Sequence, residues 1–206
     1  ETFNKTKNPD YGNIALEIFE YIRREMTDKE GGFFSAEDAD TEGEEGAYYT
    51  WTIDEIEQIL GSENGKRFTK IYGFEKNGNF FDESTGHSNG KNIPYLSREI
   101  KVLSKKHKME EELMRTFIKS SIDKLYKERS KRIRPLKDDK ILTDWNGLMI
   151  ASLAYGGLVL NDESLIKSAK KAYNFINEKL TDKKGKLLKR YRLGNSGLAP
   201  HIDDYA

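Results

Sequence analysis

Trp145-Asn-Gly-Leu-Met-Ile-Ala-Ser-Leu-Ala-Tyr-Gly-Gly-Leu-Val-Leu160 is the stretch on which the fold turns. Leu148, Met149, Ile150, Leu153, Ala154, Leu158, Val159 and Leu160 leave it almost no polar face. A helix that is apolar nearly all round is one buried on most sides. The spacing predicts a helix over 145–160, with Thr143 or Asp144 placed to cap its start. The segment over 163–180 differs, because Leu165, Ala169, Ala172, Tyr173, Ile176 and Leu180 recur at helical spacing on one side only. A buried helix followed by a half-buried one is the pattern of an inner and an outer layer. The expected fold class is therefore mainly α, built from α/α hairpins.

Working outward from this pair, the chain repeats itself. Met26-Thr-Asp-Lys-Glu-Gly-Gly-Phe-Phe34 aligns with Leu180-Thr-Asp-Lys-Lys-Gly-Lys-Leu-Leu188, an offset of 154 residues. The same offset matches Ala15 to Ala169, Phe19 to Tyr173 and Ile22 to Ile176. An Asp-Lys-x-Gly turn is a common helix exit, but the matching core positions upstream favour a true repeat. Repeated helical hairpins bury their faces by stacking on neighbours, which suits a toroid or solenoid. Ile14, Ile18, Tyr21 and Ile22 accordingly predict a helix over 12–26. Between the two copies lie a polar loop from Ser35 to Gly46 and a β-prone run over 47–51. Thr52 and Glu55 then form a capping-box pattern ahead of Ile56, Ile59 and Leu60, with Gly61 as the stop. Residues 74–96 read as loop, and Met109, Leu113, Phe117 and Leu125 predict a helix over 109–128. The basic stretch from Lys127 to Lys140 reads as a solvated connection in preference to a phosphate-binding patch. Short β excursions are expected near 33–34, 47–51 and 186–192.

Composition bounds the partners. Among 206 residues, Lys+Arg number 35 and Asp+Glu 35, a balance that argues against an electrostatically driven nucleic-acid binder. Charged residues reach 34%, above the roughly 25% of an ordinary globular chain. The aromatic share of 11% is too rich for disorder. Cysteine is absent, which removes disulfides, thiolate metal sites and Cys nucleophiles. No apolar run approaches the ~18 residues of a membrane span and no secretory pattern opens the chain. No membrane partner is expected, and the cytoplasm is the default compartment. The opening Glu-Thr-Phe and the closing His201-Ile-Asp-Asp-Tyr-Ala206 read as parts of a fragment, one expected to expose apolar helix flanks and to self-associate or be unstable.

Three clusters could carry chemistry. The first is acidic, from Ser35 to Gly46. From Asp38 it approaches the start of an EF-hand loop, but Tyr49 stands where the closing Glu is required, so that motif is rejected. Asp38, Asp40 and Glu44 are flanked by Phe33, Phe34, Tyr48, Tyr49 and Trp51. Carboxylates among aromatics suit a sugar, whose hydroxyls need acceptors and whose C–H faces pack on rings. The second cluster, Arg134 to Gly147, holds Asp138, Asp139, Asp144, Trp145 and Asn146 at the start of the most apolar helix, where free N–H groups gather polar ligands. The third holds Arg190, Arg192, His201, Asp203, Asp204 and Tyr205 and would open the next inner helix. Of the three histidines only His201 lies in such a cluster, while His87 and His107 read as surface residues. Asp38, Asp40, Trp51, Asp139, Trp145, Asn146, Arg190 and Asp204 are expected to face one cavity. Trp145 would be its stacking platform, Arg190 a clamp, and Asp204 the acid/base, with Asp139 as the second carboxylate and His201 as the imidazole an epimerisation would need. The competing reading is that Asp204 caps its helix and Arg190 pairs with it. No metal site and no cofactor are expected.

The order of these motifs resembles the YyaL-like proteins, a family that includes the spermatogenesis-associated thioredoxin-domain proteins. It is carried by Gly31-Gly-Phe-Phe-Ser-Ala-Glu-Asp-Ala-Asp40, Glu44-Glu-Gly-Ala-Tyr-Tyr-Thr-Trp51, Gly90-Lys-Asn92, Arg134-Pro135 with Asp138-Asp-Lys-Ile-Leu142, Trp145-Asn-Gly-Leu-Met-Ile150 and Asp203-Asp-Tyr-Ala206. The resemblance implies the middle of a six-hairpin α/α toroid of the glycosidase and N-acylglucosamine 2-epimerase kind. Residues 1–206 would be part of that one domain, with the family's N-terminal thioredoxin-like domain and closing hairpins absent. It also implies a carbohydrate-active, enzyme-like domain using carboxylate acid/base chemistry, hydrolysis or epimerisation, on a small sugar-like ligand. The alternative is a non-catalytic binding or scaffold module serving the thioredoxin-like domain.

Overall fold

The computed structural model describes residues 1–82, 86 and 88–205, so His87 lies outside the described residues. In chain order the helices are α1 (Thr2–Thr6), α2 (Pro9–Glu25), α3 (Ile53–Leu60), α4 (Ser62–Ile71), α5 (Ile100–Lys106), α6 (Glu111–Arg129), α7 (Thr143–Leu160) and α8 (Glu163–Lys179). The strands are β1 (Ala36–Glu37), β2 (Asp40–Thr41), β3 (Glu44–Glu45), β4 (Lys137–Asp138), β5 (Ile141–Leu142), β6 (Arg190–Arg192) and β7 (Asn195–Gly197), and a 3-10 turn spans Ile202–Tyr205. The chain is mainly helical, with short antiparallel strand pairs. It divides into two units, the first made of Glu1–Glu37 with Lys137–Ala206 and the second of Asp38–Leu136.

In the first unit α7 runs along α8 and also meets α2. Leu153, Leu165, Ala169 and Ala172 close a core with Phe33, joined by Phe19 and Ile22 of α2. Close approach is set by two glycines of α7. A Cβ on Gly156 would stand 2.6 Å from the Phe19 ring, and one on Gly157 2.6 Å from Ile166. The expected inner helix is present, but its burial is one-sided, where its composition predicts burial on most sides. Trp145, Leu148, Tyr155 and Leu158 are 53%, 70%, 43% and 77% exposed. The α8 and α2 faces cover the side bearing Leu153, and the opposite apolar side is open. The outer character of α8 holds, with Leu165, Ala169, Ala172, Ile176 and Leu180 buried and Tyr173 exposed.

The repeat is present bond for bond. Thr27 Oγ1 donates to the Ile22 carbonyl and Thr181 Oγ1 to that of Ile176. The N–H of Asp28 donates to Gly32 and that of Asp182 to Lys186, while Phe34 returns to Met26 and Leu188 to Leu180. Each pair is 154 apart. The α2 and α8 helices span the same 17 residues at that offset. Both begin behind a side-chain cap, with Asn8 accepting from Asp10 N–H and Asp162 from Ser164 N–H. Downstream, the first copy pairs β1 with β4 and the second pairs β6 with β5 and β7. The excursions expected near 33–34 and 186–192 are present as the Thr27–Phe33 and Thr181–Leu187 bridges and as β6.

The second unit departs further from expectation. The acidic loop contains the β2–β3 hairpin, turned through Glu42 (φ 56°) and Gly43 (φ 81°). The run over 47–51 is not a strand. Tyr48 and Tyr49 stack beneath the Arg129 guanidinium in a turn, and only Trp51 forms a bridge, to Asn92. The capping box of α3 is formed and Gly61 (φ 83°) ends that helix as expected, with α4 starting at once beyond it. Gly65 makes that hairpin possible, since a Cβ there would lie 2.6 Å from Glu57 Cα. Two cores follow, one around Trp51, Ile56, Leu60, Phe68 and Leu125, the other around Ile71, Leu103, Met114 and Ile118. Asn92, fully buried, holds the start of the loop over 74–96 by accepting from the N–H groups of Glu75 and Asn79. The basic stretch is also no bare solvated link. Arg132 lies 3.9 Å over the Trp51 ring and donates to the carbonyls of Ala47, Tyr48 and Thr50.

Candidate functional site

In the first unit the polar side chains gather where α7 begins. The leading N–H groups of a helix need acceptors, and here one comes from 60 residues along the chain. The Asp144 N–H donates to Asp204 Oδ1 at 3.2 Å, and Oδ2 of the same carboxylate accepts from His201 N–H at 2.7 Å. The Asp204 side chain is fully sealed from solvent. Lys189 bridges it to Asp144, with Nζ 2.6 Å from Asp144 Oδ2 and 3.3 Å from Asp204 Oδ1. The backbone around Lys189 is held in turn, because Thr143 donates through its N–H to the Lys189 carbonyl and through its hydroxyl to that of Leu188.

This arrangement sets the charges. Burial works against the ionised form of Asp144, but hydrogen bonds from Lys189 and from Trp145 N–H outweigh it and hold the carboxyl below its ordinary value. Lys189 is held above its own, chiefly by the Asp144 hydrogen bond. Both groups are charged at neutral pH. Together they offer a fixed acceptor and a fixed donor to a ligand; a carboxyl poised to give up a proton would need the opposite shift.

Around this cluster stand the other residues singled out from the sequence. Trp145 is exposed on the first turn of α7. Asn146 is 1% exposed and committed to the backbone: its Oδ1 accepts from Phe33 N–H at 2.7 Å, and its Nδ2 donates to the carbonyls of Phe33 and Leu142. Asp139, in the β4–β5 turn, pairs with Arg192 of β6. Asp138 beside it is held below its ordinary value by Lys140. Arg190 has its Nε buried without a hydrogen-bond partner. The cation on Asp204 is Lys189 where the competing structural reading has Arg190, while its carboxylate serves both its own 3-10 turn, through His201 N–H, and the start of α7, through Asp144 N–H. Lys189 carries no sequence signal, because its role depends on a contact between residues 45 and 15 positions away. His201 is exposed beside Asp204, and Asp203 is exposed next to it.

The remaining expected residues belong to the second unit. Asp38 accepts from Asp40 N–H, and both are exposed in the acidic hairpin. Glu44 of that hairpin pairs with Lys91. Trp51 is a core residue there, 4% exposed beneath Arg132. His107, read as a surface residue, has Nε2 buried without a partner, and burial with neighbouring Lys106, Lys70 and Arg67 holds its pKa below the ordinary value. Among the described residues no group of three or more His, Asp or Glu side chains could hold a metal ion, and no helix is long and apolar enough to cross a membrane.

No protein-family model matches the chain. Among curated proteins, it is similar to spermatogenesis-associated protein 20 of Homo sapiens, with 30% identity over 232 aligned positions covering 100% of this chain and 30% of that protein. The Mus musculus protein of the same name is 30% identical over 96% of the chain and 27% of its own length. An uncharacterised protein of Caenorhabditis elegans is 27% identical over 97% of the chain and 30% of its own length. The chain thus spans about 30% of the length of the relatives it matches.

Proposed function

The chain belongs to the family of spermatogenesis-associated protein 20, and on that footing we propose that it is part of a carbohydrate-active, enzyme-like domain. The observation that carries this reading is an exposed aromatic residue next to a fixed polar cluster. Trp145 is exposed on the first turn of α7, and its N–H donates to Asp144 of the charged set Asp144–Lys189–Asp204. A ring of that kind packs on the C–H face of a sugar, and charged acceptors and donors beside it order the hydroxyls. The toroid resemblance supports the same class of ligand by analogy of fold.

Within this reading the roles divide by exposure. Asp204 is a positioning residue, sealed and holding the start of α7. Asp139, paired with Arg192, and His201 reach solvent and are the groups assigned to proton exchange with a ligand. A binding role without turnover is the second reading, favoured by one observation: Asp204 is sealed and Asp144 is ion-paired with Lys189, so both are committed to holding the start of α7. A thioredoxin-like domain elsewhere in a longer protein would then be what the module serves.

The test is a titration of the full-length protein with a panel of neutral, amino and acidic sugars, read by tryptophan fluorescence. Trp145 is exposed and Trp51 buried, so the difference between the parent and a Trp145→Phe variant reports the proposed platform. A sugar that shifts emission in the parent and not in Trp145→Phe supports the site, and release of a hydrolysed or epimerised product assigns catalysis. No response across the panel, with Trp145 still quenched freely by acrylamide, would overturn the carbohydrate reading.

A further inference from the structure

The second unit gathers positive charge around a cavity. The run Lys101-Val-Leu-Ser-Lys-Lys-His-Lys108 covers α5 and the residues that leave it. Lys101, Lys105 and Lys108 recur at steps of four and three, which sets them on one side of the helix and its exit. α4, α5 and α6 meet around Ile71, Leu103 and Met114, and beside that core lies an open cavity of about 830 Å³. Arg67 of α4 joins Lys101, Lys105 and Lys108 in its wall. Arg67 is held in place, 3.3 Å from Glu63 and 5.6 Å over the Phe117 ring. Two carboxylates share the lining, Glu110 and Glu111, and Glu111 is bound to Arg115 at 2.7 Å. Among the described residues none of Lys70, Lys101, Lys105, Lys106 and Lys108 is in an ion pair. His107 also lines the cavity, and its Nε2 is buried without a hydrogen-bond partner. Burial, with Lys106, Lys70 and Arg67 around it, holds this imidazole below its ordinary pKa. Lysines spread along a solvated helix enclose no imidazole. Cations gathered on a concave surface instead repel one another and build a positive potential inside it, a cost that a bound anion relieves.

We propose that this cavity binds a small organic phosphate, its phosphate group held by Arg67, Lys101, Lys105 and Lys108 and its organic body lying on Met109 and Leu113. The cationic wall calls for a multiply charged anion. A phosphate group carries roughly −1.5 to −2 charges at neutral pH and three strong acceptor oxygens, enough for several ammonium donors at once. The apolar wall calls for an organic body, since Met109 and Leu113 line the same cavity and Leu113 is 61% exposed. The cavity volume is far larger than one phosphate ion and falls among small-molecule sites, which span roughly 300–1,000 Å³. Glu110 and Glu111 stand at the α6 end, so the phosphate belongs on the α4 and α5 side. His107 is coupled to the site through the field it feels. An anion in the cavity offsets Arg67, Lys70 and Lys106 and so favours protonation of the imidazole, and by reciprocity a protonated His107 tightens the anion. The inference concerns the second unit alone and rests on nothing in the carbohydrate reading.

Isothermal titration calorimetry of the chain with phenyl phosphate, adenosine diphosphate and inorganic phosphate tests this. At least one of the two organic probes is expected to bind at a single site about ten-fold more tightly than inorganic phosphate. The double variant Lys101→Glu/Lys105→Glu, at two exposed positions of the wall, is expected to weaken that binding by at least about ten-fold. The variant Lys119→Glu/Lys124→Glu changes the net charge equally at exposed positions of α6 outside the lining, and is expected to weaken it less than about two-fold. Titration in two buffers of different ionisation enthalpy reads the protons taken up on binding. The parent is expected to take up more than His107→Gln, with any proton of the probe itself common to both. Equal losses in the two double variants would show a diffuse charge effect and overturn the proposal. So would silence from all three probes, or inorganic phosphate binding as tightly as the organic ones. Proton uptake unchanged in a His107→Gln chain that still binds would overturn the coupling to His107.

Discussion

Residues 2–37 and 156–191 follow one hydrogen-bonding plan, yet α8 is a core helix and α2 is half bare. The difference teaches that backbone pattern and burial are separable. Caps, turns and bridges are written locally by Asn8 and Asp162, by Thr27 and Thr181, and by the Gly31 and Gly185 turns. Burial is supplied by whatever packs alongside, and α7 packs fully on α8 but gives α2 only the side that carries Phe19 and Ile22.

The comparison is tested most strongly by truncating equivalent positions. Leu165→Ala removes a side chain buried in the α7–α8 core and is expected to cost about 3 kcal/mol, whereas Tyr11→Ala on the bare face is expected to cost less than about 1 kcal/mol. Urea melts of the two variants decide it, and equal losses would mean that α2 is covered after all. A smaller contrast lies in the turns. Gly185 (φ 78°) has open space where a Cβ would go, so Gly185→Ala is expected to cost ~1 kcal/mol through backbone strain alone. Gly31 (φ 112°) would place its Cβ 2.7 Å from Lys171 Cγ, so Gly31→Ala is expected to cost about twice as much, strain plus displacement of that side chain.

The mildest contrast is in pH dependence, because Lys189 of the second copy corresponds to Ser35 of the first. Asp144 titrates below its ordinary value. Its share of stability is therefore complete above about pH 4 and is lost as pH falls through the folded-state value. Lys189 is shifted upward, so its share is complete below about pH 10 and is lost as pH rises through its folded-state value. A Lys189→Ser variant, making the second copy like the first, is expected to flatten both flanks of a Tm-against-pH profile. Unchanged flanks would show that other groups set them.

The helical layers were legible in the sequence because period and length suffice for α7 and α8, and the Thr-Asp-Lys-x-Gly turns betrayed the repeat. Its upstream reach was not legible. Phe3 lies against Gly12, whereas 154 residues on Gly157 receives Ile166, so the contact conserves total size by exchanging which partner is small. Tyr48 and Tyr49 read as a strand because aromatics favour strands, but stacking on Arg129 overrode that preference. Of the candidate site, Asp144, Trp145, Asp204 and His201 were found as local clusters. What joins them was not found. Lys189 and the capping of α7 by Asp204 are long-range contacts that no spacing announces. Asn146 was singled out for its company, and its amide proves to fasten Phe33 to α7.

The second unit is a guest within the first. Chain leaves the first unit at Glu37 and re-enters at Lys137, and these two residues face each other across the β1–β4 pair. The order of synthesis then matters. Residues 38–136 are contiguous and can complete their own cores as soon as they have emerged. The first unit cannot, because α2 must wait for α7, more than a hundred residues downstream, before Phe19 and Ile22 have anything to pack on. Contacts of such long sequence separation form late. A nascent chain is thus expected to carry a finished guest in an unfinished host, with the apolar face of α2 presented to chaperones for as long as that delay lasts.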